Sequence, residues 1–332
     1  MRWLKILLYT AGVLIIVYLF GPRPDTPEYL TAMPAVPATA ELEQYVAANE
    51  AQHKLRPNNQ ARVVWANDSL KQKTEYSIIY LHGFSASQEE GNPTHRNVAN
   101  AFGCNLYLAR MAEHGIDTTD QLVNLTPDNY WESAKEALAI GKQLGNKVIL
   151  MGTSTGGTLA LQLAATYPDD VAALILYSPN IAINDKNAWM MNNHWGVQIA
   201  RLVKGGKYNV AEDERPVYKQ YWNKVYRLEA VAALEELLET TMNKETFSKV
   251  KQPVLLLYYY KDEEHQDDVV KVSALRKMYT ELGTDTTKSR AIALPNTENH
   301  VLGSHLKSKD LASVERETKS FLEEIIKLRP KE

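Results

Sequence analysis

Gly152-Thr153-Ser154-Thr155-Gly156 reads G-x-S-x-G and lies between a short apolar run and an amphipathic one. In that setting the serine occupies a sharp strand-to-helix turn that exposes its hydroxyl. A serine hydroxyl is a weak nucleophile, so it needs a base to take its proton and donors to hold the charge it creates. The flanking glycines remove side chains that would clash at such a turn. The chemistry implied is acyl transfer, with Ser154 attacking.

Other segments supply the missing parts. His82-Gly83-Phe84 follows an earlier apolar run, ahead of Ser154 in the chain. The backbone amides of Phe84 and Thr155 are the candidate oxyanion donors. His300, in Asn299-His300-Val301, falls in a polar loop between the last short apolar run and the last helical stretch. There an imidazole can take a proton and return it to a leaving group. His305, five residues on, reads as surface. The acid that would orient His300 is open between two residues of the stretch 261–268. Asp262 is nearer the preceding apolar run, while Asp267 opens an Asp-x-Val-Val pattern leading into the next helix and is preferred. The rest of this acidic stretch reads as solvated surface, without the glycine and spacing of a calcium loop.

These residues need elements to position them. Apolar, β-rich runs at 77–81, 105–109, 147–151, 171–177, 253–258 and 291–294 alternate with helical patterns at 131–144, 155–167, 270–282 and 311–328. Runs apolar on both faces, each followed by a helix, predict an α/β fold with a mostly parallel central sheet flanked by helices. In such sheets, sites gather at the carboxyl ends of the strands, where His82, Ser154, the two candidate acids and His300 all fall.

Over residues 62–328 the chain resembles the α/β-hydrolase superfamily, in particular its lipase, esterase and monoacylglycerol-lipase-like branch. The resemblance is carried by Leu81-His82-Gly83-Phe84, the Ser154 pentapeptide, Asp267-Asp268-Val269-Val270 and Asn299-His300-Val301. Arg110-Met111-Ala112-Glu113-His114-Gly115-Ile116 is similar to a diverged form of a loop of that family. The resemblance implies a Ser154–His300–Asp acyl-transfer triad that uses no cofactor and no metal. It also implies that the long segment at about 180–250 is a helical cap insertion. That segment holds Trp189, Trp195, Trp222, Met190, Met191, Tyr218, Tyr221 and Tyr226. Most of these are expected to form the cap's own core, and some to line an acyl pocket.

The chain opens differently. Residues 6–20 hold no charge, Arg2 and Lys5 precede them, and about 20 residues cross a hydrocarbon core. Without a small-x-small site after Phe20, residues 1–22 read as an uncleaved membrane anchor rather than a cleaved signal. The basic bias before the span puts the rest of the chain on the extracytoplasmic side. Four of the fourteen prolines fall in residues 23–40 and a fifth, Pro22, just before them, predicting an extended spacer that holds the body off the bilayer. Residues 41–332 are left for one hydrolase domain. With 40 acidic against 37 basic residues there is no whole-chain field for nucleic acid. One cysteine, Cys104, rules out an internal disulfide and a cysteine-based zinc site. The partners expected are therefore a small ester or lipid-like substrate and the membrane.

Overall fold

The structure, a computed structural model, describes residues 2–331. In chain order the helices are α1 (Arg2–Leu19), α2 (Leu42–Glu50), α3 (Thr94–Ala101), α4 (Pro127–Leu144), α5 (Thr155–Thr166), α6 (Gly196–Lys204), α7 (Pro216–Tyr221), α8 (Leu228–Thr241), α9 (Lys244–Lys249), α10 (Val272–Glu281) and α11 (Leu311–Glu324). The strands are β1 (Arg62–Val64), β2 (Thr74–Leu81), β3 (Asn105–Leu108), β4 (Gly145–Thr153), β5 (Val171–Tyr177), β6 (Tyr208–Val210), β7 (Val225–Arg227), β8 (Val254–Tyr258) and β9 (Ser289–Ala293).

Seven strands form one sheet in the order β1-β3-β2-β4-β5-β8-β9, and only β1 runs antiparallel to its neighbour. This is the mostly parallel α/β sheet that the apolar runs predict. Alternate residues of each central strand enter opposite layers, because successive side chains of a strand point to opposite faces. Ile79, Leu81, Val148, Leu150, Leu174 and Leu256 pack with α4, α5 and α10. Ile78, Tyr80, Ile149, Met151, Ile175 and Leu257 pack with α3 and α11. Both faces are covered, which is why these strands read as continuous apolar runs rather than alternating ones.

The structure adds elements that the sequence pattern did not reveal. β1 is a three-residue edge strand, too short for a periodicity to register. Between β5 and β8 the chain is not wholly helical: β6 and β7 pair as a small antiparallel sheet beside α6, α7 and α8.

Helix α1 has no buried residue and is long and apolar enough to cross a membrane. The proline-rich stretch after it is extended, as its ring constraints demand, but it lies along the body instead of standing clear of it. Trp131 Nε1 donates to the Leu30 carbonyl at 2.8 Å, Lys135 Nζ to that of Ala32 at 2.8 Å, and Tyr167 hydroxyl to that of Thr31 at 2.9 Å. At its start, the Trp195 amide donates to the Pro22 carbonyl at 2.8 Å. A segment rich in prolines has few amides of its own to satisfy, so its carbonyls are left as acceptors for side chains of α4 and α5.

Candidate active site

Ser154 sits at the junction of β4 and α5 with φ 53° and ψ −122°. For a residue with a Cβ this left-handed region costs on the order of 1–3 kcal/mol and persists only where the surroundings enforce it. Here they do. A Cβ on Gly156 would come within 1.9 Å of the Leu81 carbonyl oxygen, and one on Gly152 within 2.5 Å of the Gly156 carbonyl carbon. The glycines of the pentapeptide therefore let α5 pack directly against the end of β2, and the turn between them has one shape. The Ser154 amide donates to the Tyr177 carbonyl at 3.0 Å, which ties the turn to the neighbouring strand.

Residues 33 positions apart meet beside it. His300 Nδ1 bonds Asp267 Oδ2 at 2.8 Å, and Asp267 Oδ1 accepts from the amides of Val269 and Val270 at 3.0 and 3.1 Å. Both side chains are buried. Burial pushes the Asp267 carboxyl up, but the His300 charge and hydrogen bond, with the Val270 amide, outweigh it and hold the group below the usual carboxylate range. Burial likewise pulls the His300 imidazole down. The Asp267 charge and hydrogen bond, then Glu90 and Asp268, more than offset that, so its proton is held above the ordinary value of 6.5. Among the described residues His300 Nε2 has no hydrogen-bond partner, and Ser154 Oγ makes none.

Asp262 is elsewhere. The stretch 261–268 folds back on itself through a Tyr260–Gln266 bridge, and Asp262 is spent inside that turn, accepting from the His265 ring at 2.8 Å. The fold-back returns Asp267 to the strand end, where its amide donates to the Tyr259 carbonyl at 3.2 Å. His305 is exposed and bonds the Asn92 carbonyl.

Phe84 and Thr155 flank the same space. Thr155 is the first residue of α5, so its amide has no partner within the helix, and the Phe84 amide donates to no protein acceptor among the described residues. Two buried histidines hold the Phe84 loop. His82 Nε2 accepts from the Met111 amide at 3.1 Å, and His114 Nε2 accepts from the Ser85 amide at 3.0 Å. Each imidazole must be neutral to accept in this way. Burial keeps them so, pulling His82 down to about 4 and His114 well below its ordinary value. The His114 loop was visible in the sequence as a family-like segment, although its task was not.

Ser154, His300, Phe84 and Asp268 line one cavity of about 470 Å³. From the segment between β5 and β8 come Tyr218, Trp222, Tyr226, Val231 and Leu234. Tyr218 and Trp222 stack at 5.3 Å, with Lys307 Nζ 4.6 Å from the Tyr218 ring centre and 2.9 Å from Asp213. Trp189, Trp195, Met190 and Met191 lie outside this wall. The cavity also holds Glu90, whose Gln88-Glu89-Glu90 run carries no motif spacing that would mark it in the sequence. A larger hollow of about 700 Å³ beside α2 contains no serine, threonine or cysteine. Among the described residues no group of three or more His, Cys, Asp or Glu is gathered for a metal.

Solved structures share the fold. A metagenome-derived lipolytic enzyme of the LipS and LipT pair aligns with a TM-score of 0.62 at 16% identity, over 81% of this chain and 99% of that one. A monoacylglycerol lipase from Paleococcus ferrophilus gives 0.59 at 14% identity, over 79% and 97%. Est1E from Butyrivibrio proteoclasticus, with ferulic acid bound, gives 0.56 at 20% identity, over 81% and 95%. No curated protein sequence matches the chain. A family model described as serine aminopeptidase, S33, matches residues 128–293, which is half of the 332. With the sheet and its neighbours, that match makes the chain a member of the serine aminopeptidase S33 family on an α/β-hydrolase fold.

Proposed function

We propose that the protein is a serine hydrolase that cleaves carboxylic esters through an acyl-enzyme. The observation that carries this reading is the strained Ser154 turn opening into the same cavity as the Asp267–His300 pair. Ser154 attacks the carbonyl carbon and His300 Nε2 takes its proton. Asp267 holds the imidazole by Nδ1 and stabilises the imidazolium. The Phe84 and Thr155 amides receive the oxyanion. The proton then passes from His300 to the leaving alcohol, and water repeats the sequence to release the acid. The hydroxyl–imidazole hydrogen bond is expected to form with substrate in place, as such catalytic bonds often do.

The test is labelling of the full chain with a fluorophosphonate, followed by p-nitrophenyl esters of rising chain length. Absence of labelling by folded protein would sink the enzyme reading and leave a tethered binding protein. The aromatic and aliphatic cavity wall favours substrates with a sizeable apolar acyl group, so activity on acetate alone would count against lipid-like esters. The family description favours a second reading, an amidase or proline-type aminopeptidase on the same site. Faster turnover of amino-acid p-nitroanilides than of the matching esters would select it.

The pH dependence has a definite sign. His300 must be neutral to act as base, and its proton is held above the ordinary 6.5. Activity is therefore present above the pKa of the folded protein and lost as pH falls through it. The acid limb of kcat/KM is expected to have its midpoint above 6.5, and a midpoint below 6 contradicts the geometry of the pair.

In this reading α1 anchors the protein in a membrane, with the hydrolase on the extracytoplasmic side. Resistance of the full chain to alkaline extraction from membranes, together with protease access from outside, tests both statements.

A further inference from the structure

Glu90 stands out as a fully buried carboxyl group next to a proposed nucleophile. Its Oε2 accepts from the Gly83 amide at 2.5 Å. A Cβ built on Gly83 would lie 2.9 Å from Glu90 Oε1 and also 2.9 Å from Ser154 Cβ, so the carboxyl and the serine flank the same glycine from two sides. Glu90 also lines the cavity that holds His300. Nothing in the acyl-transfer scheme calls for a second carboxyl group here, and an unused buried one is costly to keep.

We propose that Glu90 is a positioning residue for both halves of the site, pinning the Gly83–Phe84 turn that presents the oxyanion amide and facing His300 with a second carboxyl group besides Asp267. The inference rests on the serine-hydrolase reading and adds a residue to it.

The first half follows from connectivity. Gly83 precedes Phe84, so the peptide that Glu90 grips and the peptide whose amide must point at the oxyanion share the Gly83 Cα. His114 grips the other side through Ser85. The turn is thus clamped before and after Phe84.

The second half follows from what surrounds the two groups. Glu90 faces Tyr80 from β2, Tyr130 from α4, Tyr218 from α7 and His300 from the loop after β9. Burial drives all three phenols up, Tyr218 to about 12, so they stay neutral. His95, packed on the Tyr80 ring at 4.8 Å, is pulled down by burial to about 3 and stays neutral too. His300 additionally faces Asp267 and Asp268. The cavity's lysine, Lys307, is held by Asp213. Glu90 and His300 are therefore the pair that exchanges charge near neutrality. Burial pushes the Glu90 carboxyl up to about 7, against the opposing pull of the Gly83 amide, His300 and Tyr80. In free enzyme the carboxylate stabilises only an imidazolium and delays the appearance of the base as pH rises. In the tetrahedral intermediate it acts on an imidazolium and an oxyanion together, and the two effects oppose each other. Its signature therefore belongs in the pH profile, where the apparent constants describe the pair.

The experiment compares Glu90→Gln and Glu90→Ala in the full chain. Glutamine keeps an oxygen for the Gly83 amide and removes the charge, so the acid limb of kcat/KM should move down by about half a pH unit or more. That equals roughly a threefold gain on the limb relative to the variant's own plateau. Alanine releases the Gly83 amide, so its kcat should fall at least about tenfold below that of the glutamine variant with little change in KM. Superimposable wild-type and glutamine profiles, or an alanine variant as fast as glutamine, overturn the inference. Fluorophosphonate labelling of wild type in the same samples separates the causes. Unlabelled wild type overturns the hydrolase reading along with this one, whereas labelled wild type with an unshifted profile overturns this one alone.

Discussion

Ser154→Ala is expected to abolish fluorophosphonate labelling and to lower kcat on a responsive p-nitrophenyl ester by about 10⁵–10⁶-fold. The size follows from what the hydroxyl does in the scheme. Without Oγ there is no acyl-enzyme, and His300, Asp267 and the oxyanion amides have no nucleophile to serve. What remains is the smaller acceleration that binding and the two amides supply, about 10³–10⁴ over water. Folding should be little disturbed, because Ser154 Oγ makes no hydrogen bond among the described residues and the turn is set by glycine packing and by the Ser154 amide. Thermal unfolding within a few degrees of wild type, measured beside the kinetics, separates loss of chemistry from loss of structure. Turnover within tenfold of wild type would end the serine mechanism.

The second large effect distinguishes two aspartates five residues apart. Asp267→Asn is expected to cost about 10⁴-fold in kcat, while Asp262→Asn should stay within about threefold. Asp267 accepts from His300 Nδ1, leaving Nε2 to take the Ser154 proton. An asparagine can turn its NH₂ toward the ring, which selects the opposite tautomer and leaves Nε2 protonated and useless as a base. It also removes the main partner that holds the imidazole's proton above its ordinary value, so the residual activity should show an acid limb shifted to lower pH. Asp262 is half exposed and bound within its own turn. Its loss touches only a screened surface pair, and such pairs contribute little. The reverse ranking would reassign the acid.

The two kinds of information in this chain part company at identifiable residues. Central strands β2, β4, β5 and β8 were readable because local sterics and burial on both faces impose an unbroken β-rich run, which is a property of neighbouring residues. β1 escaped because its three residues carry no period and take their shape from pairing with β3. The proline-rich stretch announced its extended backbone, but its docking on α4 and α5 depends on donors such as Trp131 and Lys135, about a hundred residues away. Of the aromatics between β5 and β8, composition could not tell Tyr218, Trp222 and Tyr226, which face the cavity, from Trp189 and Trp195, which do not.

By itself, then, the sequence determined an α/β sheet with sites at its carboxyl edge, a serine in a glycine-flanked turn, and a histidine after the last strand. The serine and the histidine are written in residue type and spacing over fewer than ten positions each, and the sheet in the alternation of apolar runs with helical patterns along the chain. Tertiary structure alone decided that Asp267 rather than Asp262 meets His300, and that Glu90 stands behind Gly83. Those outcomes turn on how a loop folds back and which strand ends lie side by side. Asp267 and His300 are 33 positions apart, and Glu90 and Ser154, which flank Gly83 from two sides, are 64 apart, and no local pattern encodes those approaches.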